Sequence, residues 1–253
     1  MCNIFDTHSH YDDHAFDSDR DELLSALPSK GVCGVISCGT DIATGEFNLR
    51  LAERYDHVFA ACGIHPEQAP DMAPGDLDAL KTQLKHPKCV ALGEIGLDYY
   101  WDIPKDVQRE VFEYQLELAV SLDMPVIIHD REAHADVLEL IKKYRPRGVM
   151  HCFSGSVETA KEVLKTGMYL GFGGSVTFKN AVRPVEAAKF VPADRLLLET
   201  DCPYMAPVPF RGKRNDSSLI EHIAVKIAEI RQTDAQQLLD QTAANARECF
   251  CLT

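Results

Sequence analysis

Cations are scarce in this chain: 26 Lys and Arg stand against 39 Asp and Glu, a formal charge of −13. A broad basic face for nucleic acid is therefore excluded, and only a small local phosphate site remains open. No stretch comes near the roughly 18 consecutive apolar residues of a membrane-spanning helix. Met1 leads almost at once to Asp6, His8 and His10 rather than to a charged-then-apolar leader, so the expectation is a soluble, unprocessed, cytoplasmic protein with no membrane role. The nine cysteines include no CxxC pair, and Cys33, Cys38, Cys62 and Cys89 lie inside apolar runs, where a reduced thiol packs as a small hydrophobe. A disulfide framework is not expected. Also missing are GxSxG, a Walker loop and GxGxxG, which removes support for acyl-enzyme, nucleoside-triphosphate and dinucleotide chemistry.

What is present is alternation. Eight short apolar runs, "NIFDTH", "VCGVISCG", "VFAACGIH", "CVALGE", "PVIIH", "GVMH", "MYLGFGG" and "LLLETD", read as strands. Between them lie segments with apolar residues at helical spacing, at 17–27, 41–55, 105–121, 133–144 and 156–166, and two more follow at 217–231 and 234–250. Strands alternating with helices imply a parallel sheet buried on both faces, and eight units in this length predict a closed (β/α)8 barrel. An open doubly wound sheet is the alternative architecture. With no internal repeat, low-complexity tract or long linker, a single domain over 1–253 is expected.

The ends of the runs carry the chemistry. His8 and His10 stand one residue apart, so both can point to one face of a strand, about 7 Å apart along it. His65, Glu94, His129, His151 and Asp201 follow later runs, giving seven metal-capable or acid–base side chains at six strand ends. Any one of them alone would more often be a packed or solvated residue, but together they predict a metal centre on the C-terminal rim of the barrel. Such a donor set can hold two divalent ions. His and carboxylate suit Zn, Mn, Fe or Co, with Mg held more weakly. Glu94 is the natural bridging carboxylate, and Asp201 is positioned both to bind an ion and to accept a proton from the attacking water. Two cations about 3.5–4 Å apart can activate a water and stabilise a leaving oxygen, which is hydrolytic chemistry. Arg211, Lys213 and Arg214, with Arg131 two residues beyond His129, form a candidate phosphate grip in this acidic chain. A solvated charged loop is the alternative reading. Tyr99, Tyr100 and Trp101 could stack bases or simply pack over the barrel mouth, and Asp98 could receive a ligand His N–H or cap a loop.

The stretches "DTHSH", "GIHP" (63–66), "GEIGLDYY" (93–100), "PVIIHDR" (125–131), "HCFSG" (151–155), "ETDCPYMAP" (199–207) and "PFRGKRN" (209–215) resemble the TatD family of metal-dependent hydrolases, a branch of the amidohydrolase-like barrels. The resemblance implies a divalent-metal-dependent deoxyribonuclease. It places His8, His10 and Asp201 around one ion, His129 and His151 around the other and Glu94 between them, with His65 and Arg131 meeting substrate phosphate. Where the family continues with Asn–x–Pro, this chain has Asn215–Asp216–Ser217. The substrate expected on this reading is a DNA end, single-stranded or a 3′ terminus, attacked by a 3′–5′ exonuclease with no obligate protein partner. A cyclic-amidase type of amidohydrolase is the competing enzyme class. Many of those bridge their metals with a carbamylated Lys, and "CVALGEIGLD" contains none. A metal-stabilised scaffold is a third reading, disfavoured by the complete ligand set.

Overall fold

Aliphatic and β-branched residues buried on both faces make the apolar runs into strands. A computed structural model describes residues 1–252, in which β1 (Ile4–Ser9), β2 (Val32–Cys38), β3 (Val58–Cys62), β4 (Cys89–Asp98), β5 (Val126–Arg131), β6 (Gly148–Met150), β7 (Tyr169–Phe172) and β8 (Leu196–Leu198) are all parallel and follow one another in chain order. Helices fill the intervals: α1 (Arg20–Ala26), α2 (Ile42–Arg54), α3 (Asp76–Gln83), α4 (Lys105–Ser121), α5 (His134–Tyr144), α6 (Val157–Leu164) and α7 (Val182–Phe190), then α8 (Ile220–Arg231) and α9 (Ala235–Cys249). This is the predicted barrel, and the doubly wound alternative falls. Helices α3 and α7 escape the periodicity test because their buried faces are thin: Leu80 and Gln83 in one, Ala187 and Ala188 in the other. One core layer lies between strands and helices, while Phe5, Ile36, Ala61, Ala91, Ile127 and Leu197 fill the barrel interior. Ala243, Ala246 and Cys249 of α9, with Phe250 just beyond it, pack onto that inner cluster. All nine cysteines are free thiols, as expected. Among the described residues no helix is long and apolar enough to cross a membrane.

Three irregularities in the sheet aim the functional residues. Between Asp6 and Ser9, β1 advances three residues while β2 advances two, from Val35 to Ser37. Between Leu92 and Ile95, β4 likewise gains one residue on β5. Such bulges re-aim side chains, and these two carry His8 and Glu94. The third irregularity is the seam. No ladder joins β8 to β1, and the barrel is closed instead just beyond β8, where Asp201 N donates to His8 O (2.9 Å) and His10 N to Cys202 O (2.8 Å).

Expecting Glu94 at a strand end proves too simple, because β4 continues through it to Asp98. Gly96 permits that continuation: it has φ +150°, and a Cβ there would lie 2.0 Å from the His129 carbonyl oxygen. Gly96→Ala should therefore destabilise the protein by at least about 1–3 kcal/mol, the range for a strained backbone position. Urea unfolding of the variant beside the parent checks this, and an unchanged midpoint would contradict it.

Candidate metal centre

The carboxylate of Glu94, 3 % exposed, sits at the middle of the barrel mouth and has two different sides. Its Oε2 faces His8 Nε2 at 3.3 Å and His10 Nε2 at 3.5 Å, and both of those nitrogens lie within 3.6 Å of Asp201 Oδ1. Its Oε1 faces His151 Nε2 at 2.7 Å, His129 Nδ1 at 2.8 Å and His65 Nε2 at 3.7 Å. Donor atoms of His8, His10 and Asp201, of His8, Glu94 and His151, and of His65, Glu94 and His129 are each close enough together to hold one ion. The seven side chains singled out by their positions are thus brought to one place, in two halves divided by Glu94.

The hydrogen bonds on the far sides of the rings test whether metal fits. His10 Nδ1 lies 3.0 Å from the Cys38 carbonyl, which can only accept, so Nδ1 carries hydrogen and Nε2 turns its lone pair inward. His129 Nε2 lies 3.0 Å from Asp98 Oδ2, leaving Nδ1 for the centre. This is the tautomer control usual for metal-bound histidine. Asp98 fills both roles considered for it, since its other oxygen accepts from Tyr100 N at 3.0 Å. His65 differs: its Nδ1 accepts from Glu67 N at 3.2 Å, so the neutral ring presents an Nε2–H, which is a donor and not a ligand. The donor chemistry of the other six residues fits divalent ions.

Electrostatics divides the rings too. Burial lowers His8 to about 4 and His65 to about 3, so both are neutral. Burial also opposes charge on His10 and His129. The hydrogen bond to Asp201 and the Glu94 charge outweigh it and raise His10 to about 9, while bonds to Asp98 and Glu94 raise His129 to about 10. Glu94 stays well below the usual carboxylate range: the surrounding histidines, His151 foremost, overcome its desolvation.

Two buried carboxyls escaped the sequence reading. Asp6, pushed up to about 6 by burial against bonds from Ser217 and Thr200, accepts from Thr200 Oγ1 and Ser217 Oγ at 2.6 Å each. Ser217, standing where the family has Pro, thereby ties the segment after β8 to β1. Asn215 pins the same segment through Thr200 O and Tyr204 O. Glu199, pushed up to about 8 by burial, lies behind His151. Its only signal was its place in "LLLETD", two residues before Asp201.

The expected phosphate grip divides. Arg131 lies over the Tyr100 ring at 3.7 Å and the Trp101 ring at 5.8 Å, beside the centre, because Asp98 and Arg131 are paired across β4 and β5. Tyr99 is removed from the aromatic trio, its hydroxyl donating to Asp136 at 2.6 Å. Arg211 covers Phe178 at 4.4 Å and Lys213 lies 5.9 Å from Phe210, both with exposed side chains. Arg214 must be struck from the grip: both its terminal nitrogens bind the Asp19 carboxylate, at 2.7 and 2.6 Å.

A family model described as TatD related DNase matches residues 5–251. The chain belongs to the TatD family. It is 43 % identical over 251 residues, 98 % of each chain, to YabD of Bacillus subtilis, named an uncharacterized metal-dependent hydrolase. It is 34 % identical over 257 residues, again 98 % of each chain, to a Salmonella typhimurium protein named 3′-5′ ssDNA/RNA exonuclease TatD. Among solved structures, the TatD homologue YJJV of Escherichia coli superposes with a TM-score of 0.94 at 32 % identity, covering 100 % of this chain and 99 % of that one. This TatD-family protein is a metal-dependent hydrolase.

The neighbouring carboxylates favour the protonated forms of His10 and His129 in the metal-free pocket, whereas an ion would need the inward nitrogen of each ring bare. Metal affinity should rise with pH, and full loading near pH 7 should release at least about two protons per chain. Calorimetry in buffers of unlike ionisation enthalpy measures this. No proton release would contradict the ligand assignment.

Proposed function

We propose that this hydrolase trims single-stranded nucleic acid from an end as a 3′–5′ exonuclease, with a DNA terminus as its expected substrate and two divalent ions as its cofactor. The observation that carries the reading is the division of the donor set by Glu94. His8, His10 and Asp201 would hold one ion and His129 and His151 the other, with each Glu94 oxygen serving one side. Zn, Mn, Co and Mg are the candidate ions. Bound there, they supply Lewis-acid polarisation of the phosphate and activation of water.

The chain's own groups supply the rest. Asp201 has the most open side chain of the six ligands, 22 % exposed against 17 % for His129 and 12 % for His10, so it is the group an incoming water can reach. It takes the water's proton as the new P–O bond forms and the bond to the leaving oxygen breaks. A left-handed backbone (φ 58°) at Asp201, tolerable for Asp, turns it into the mouth. His65 Nε2–H donates to a phosphate oxygen. Arg131, held flat by Tyr100, offers a guanidinium fork to the next phosphate, while Trp101, half-exposed, gives a base a face to stack on. Arg211 and Lys213 extend that grip. The name of the Salmonella relative supports single-stranded nucleic acid as the substrate class.

Activity should vanish in excess EDTA and return with Mn, Co or Mg. Asp201→Asn should cut kcat by at least about 10²-fold, since a general base is typically worth 10²–10⁴. Turnover close to the parent's would refute its role. An end-labelled single strand compared with a circular one tests the substrate: stepwise shortening of the linear strand with the circle intact is expected. Cleavage of the circle would overturn the exonuclease assignment, and no cleavage of either by metal-loaded protein would point to an amidase.

A further inference from the structure

Four of the five ring nitrogens that face away from the centre have partners: His8 Nδ1 with the Cys38 thiol (3.5 Å), His10 Nδ1 with the Cys38 carbonyl (3.0 Å), His65 Nδ1 with Glu67 N (3.2 Å) and His129 Nε2 with Asp98 (3.0 Å). The exception is His151 Nδ1, which is buried and unpaired. The atom nearest in kind to a partner is Glu199 Oε1, 3.8 Å away, and that carboxyl's other oxygen is itself buried and unpaired. An unpaired ring N–H and an unpaired carboxyl oxygen are each costly in a water-poor interior, and a small turn of the Glu199 carboxyl, whose Oε1 is already nearest the ring, would let the two side chains serve one another. The neighbouring strand has been hollowed out for this carboxyl. A Cβ on Gly171 would meet Glu199 Oε2 at 2.2 Å, and one on Gly173 would touch its Cγ at 3.6 Å. The Cys152 amide, next to His151, donates to Oε1 and holds it in that slot.

We propose that Glu199 is a positioning residue for the metal centre: it takes the Nδ1–H of His151 and so turns the Nε2 lone pair of that ring toward the ion on the Oε1 side of Glu94. It does from the residue just beyond β8 what Asp98 does for His129 from the end of β4, so that both histidines of that half are backed by the side chain of an acidic residue. The inference rests on the reading of His151 as a ligand, and not on nucleic acid being the substrate.

Cobalt(II) titration of the metal-free full chain, followed by visible absorption and calorimetry, tests it. Glu199→Met, of similar size without the acceptor, should weaken one of the two sites by about 10–100-fold, the usual effect of removing a ligand's outer partner, and leave the other unchanged. Glu199→Gln, which keeps an acceptor oxygen, should recover part of the loss. Gly171→Ala, which pushes Glu199 aside without removing it, should reproduce the loss if Glu199→Met proves poorly folded. In a His151→Ala background Glu199→Met should have no further effect on cobalt binding. Equal cobalt affinity in parent and Glu199→Met, or the same loss with and without His151, would overturn the proposal alone. Failure of the parent chain to bind any cobalt would overturn the two-ion reading with it.

Discussion

A carboxylate sealed in the middle of a barrel mouth is the constraint on which the rest of this structure depends. Glu94 is ionised and almost without solvent, a state that is expensive unless opposite charge or hydrogen-bond donors surround it. The chain answers with histidines from β1, β5 and the segments after β1, β3 and β6. Two strand bulges exist where His8 and Glu94 need to turn inward. Around these ligands sits a ring of groups without catalytic duty: the Cys38 carbonyl, Asp98, Asp6 and the Ser217 hydroxyl, each setting a tautomer or anchoring the segment that bears Asp201.

Much of this was legible in the residues themselves. Strands buried on both faces leave uninterrupted apolar runs, so their number, order and ends could be read, and the ligands stood out as polar residues ending those runs. Less visible was whatever depends on contacts between distant segments. Arg214 looks like its neighbours Arg211 and Lys213 until Asp19 is seen to hold it. Glu199 looks like a companion of Asp201, yet it lies against β7 and the back of the His151 ring. The bulges leave no mark in a hydrophobic pattern, which is why Glu94 was expected at the end of a strand that in fact continues to Asp98. Helix α7 was hidden because alanines carry its contact with the barrel.

The charge balance has a spatial meaning. With 13 more acids than bases, the surface repels a polyanion, and the cations that could receive one are few. Arg131, kept flat against an aromatic ring beside His129, is one cation set at the mouth. If the substrate is nucleic acid, as proposed, so acidic a chain would receive the tip of a flexible strand more readily than the side of a long duplex with its many phosphates.

The seam between β1 and β8 adds a thermodynamic consequence. Every other neighbouring pair of strands is zipped by a ladder, but the first and last are joined by a few backbone hydrogen bonds, the two shortest of them at His8, His10, Asp201 and Cys202. Three of those four residues are the donors on the Oε2 side of Glu94. An ion held there would clasp together segments more than 190 positions apart in the chain, and so close a very long loop at the barrel's one unladdered joint. The binding free energy of such an ion would then also help to keep the cylinder shut, since RT ln(1 + [M]/Kd) is added to the stability of a folded state that binds M. Cofactor and fastener would be the same object.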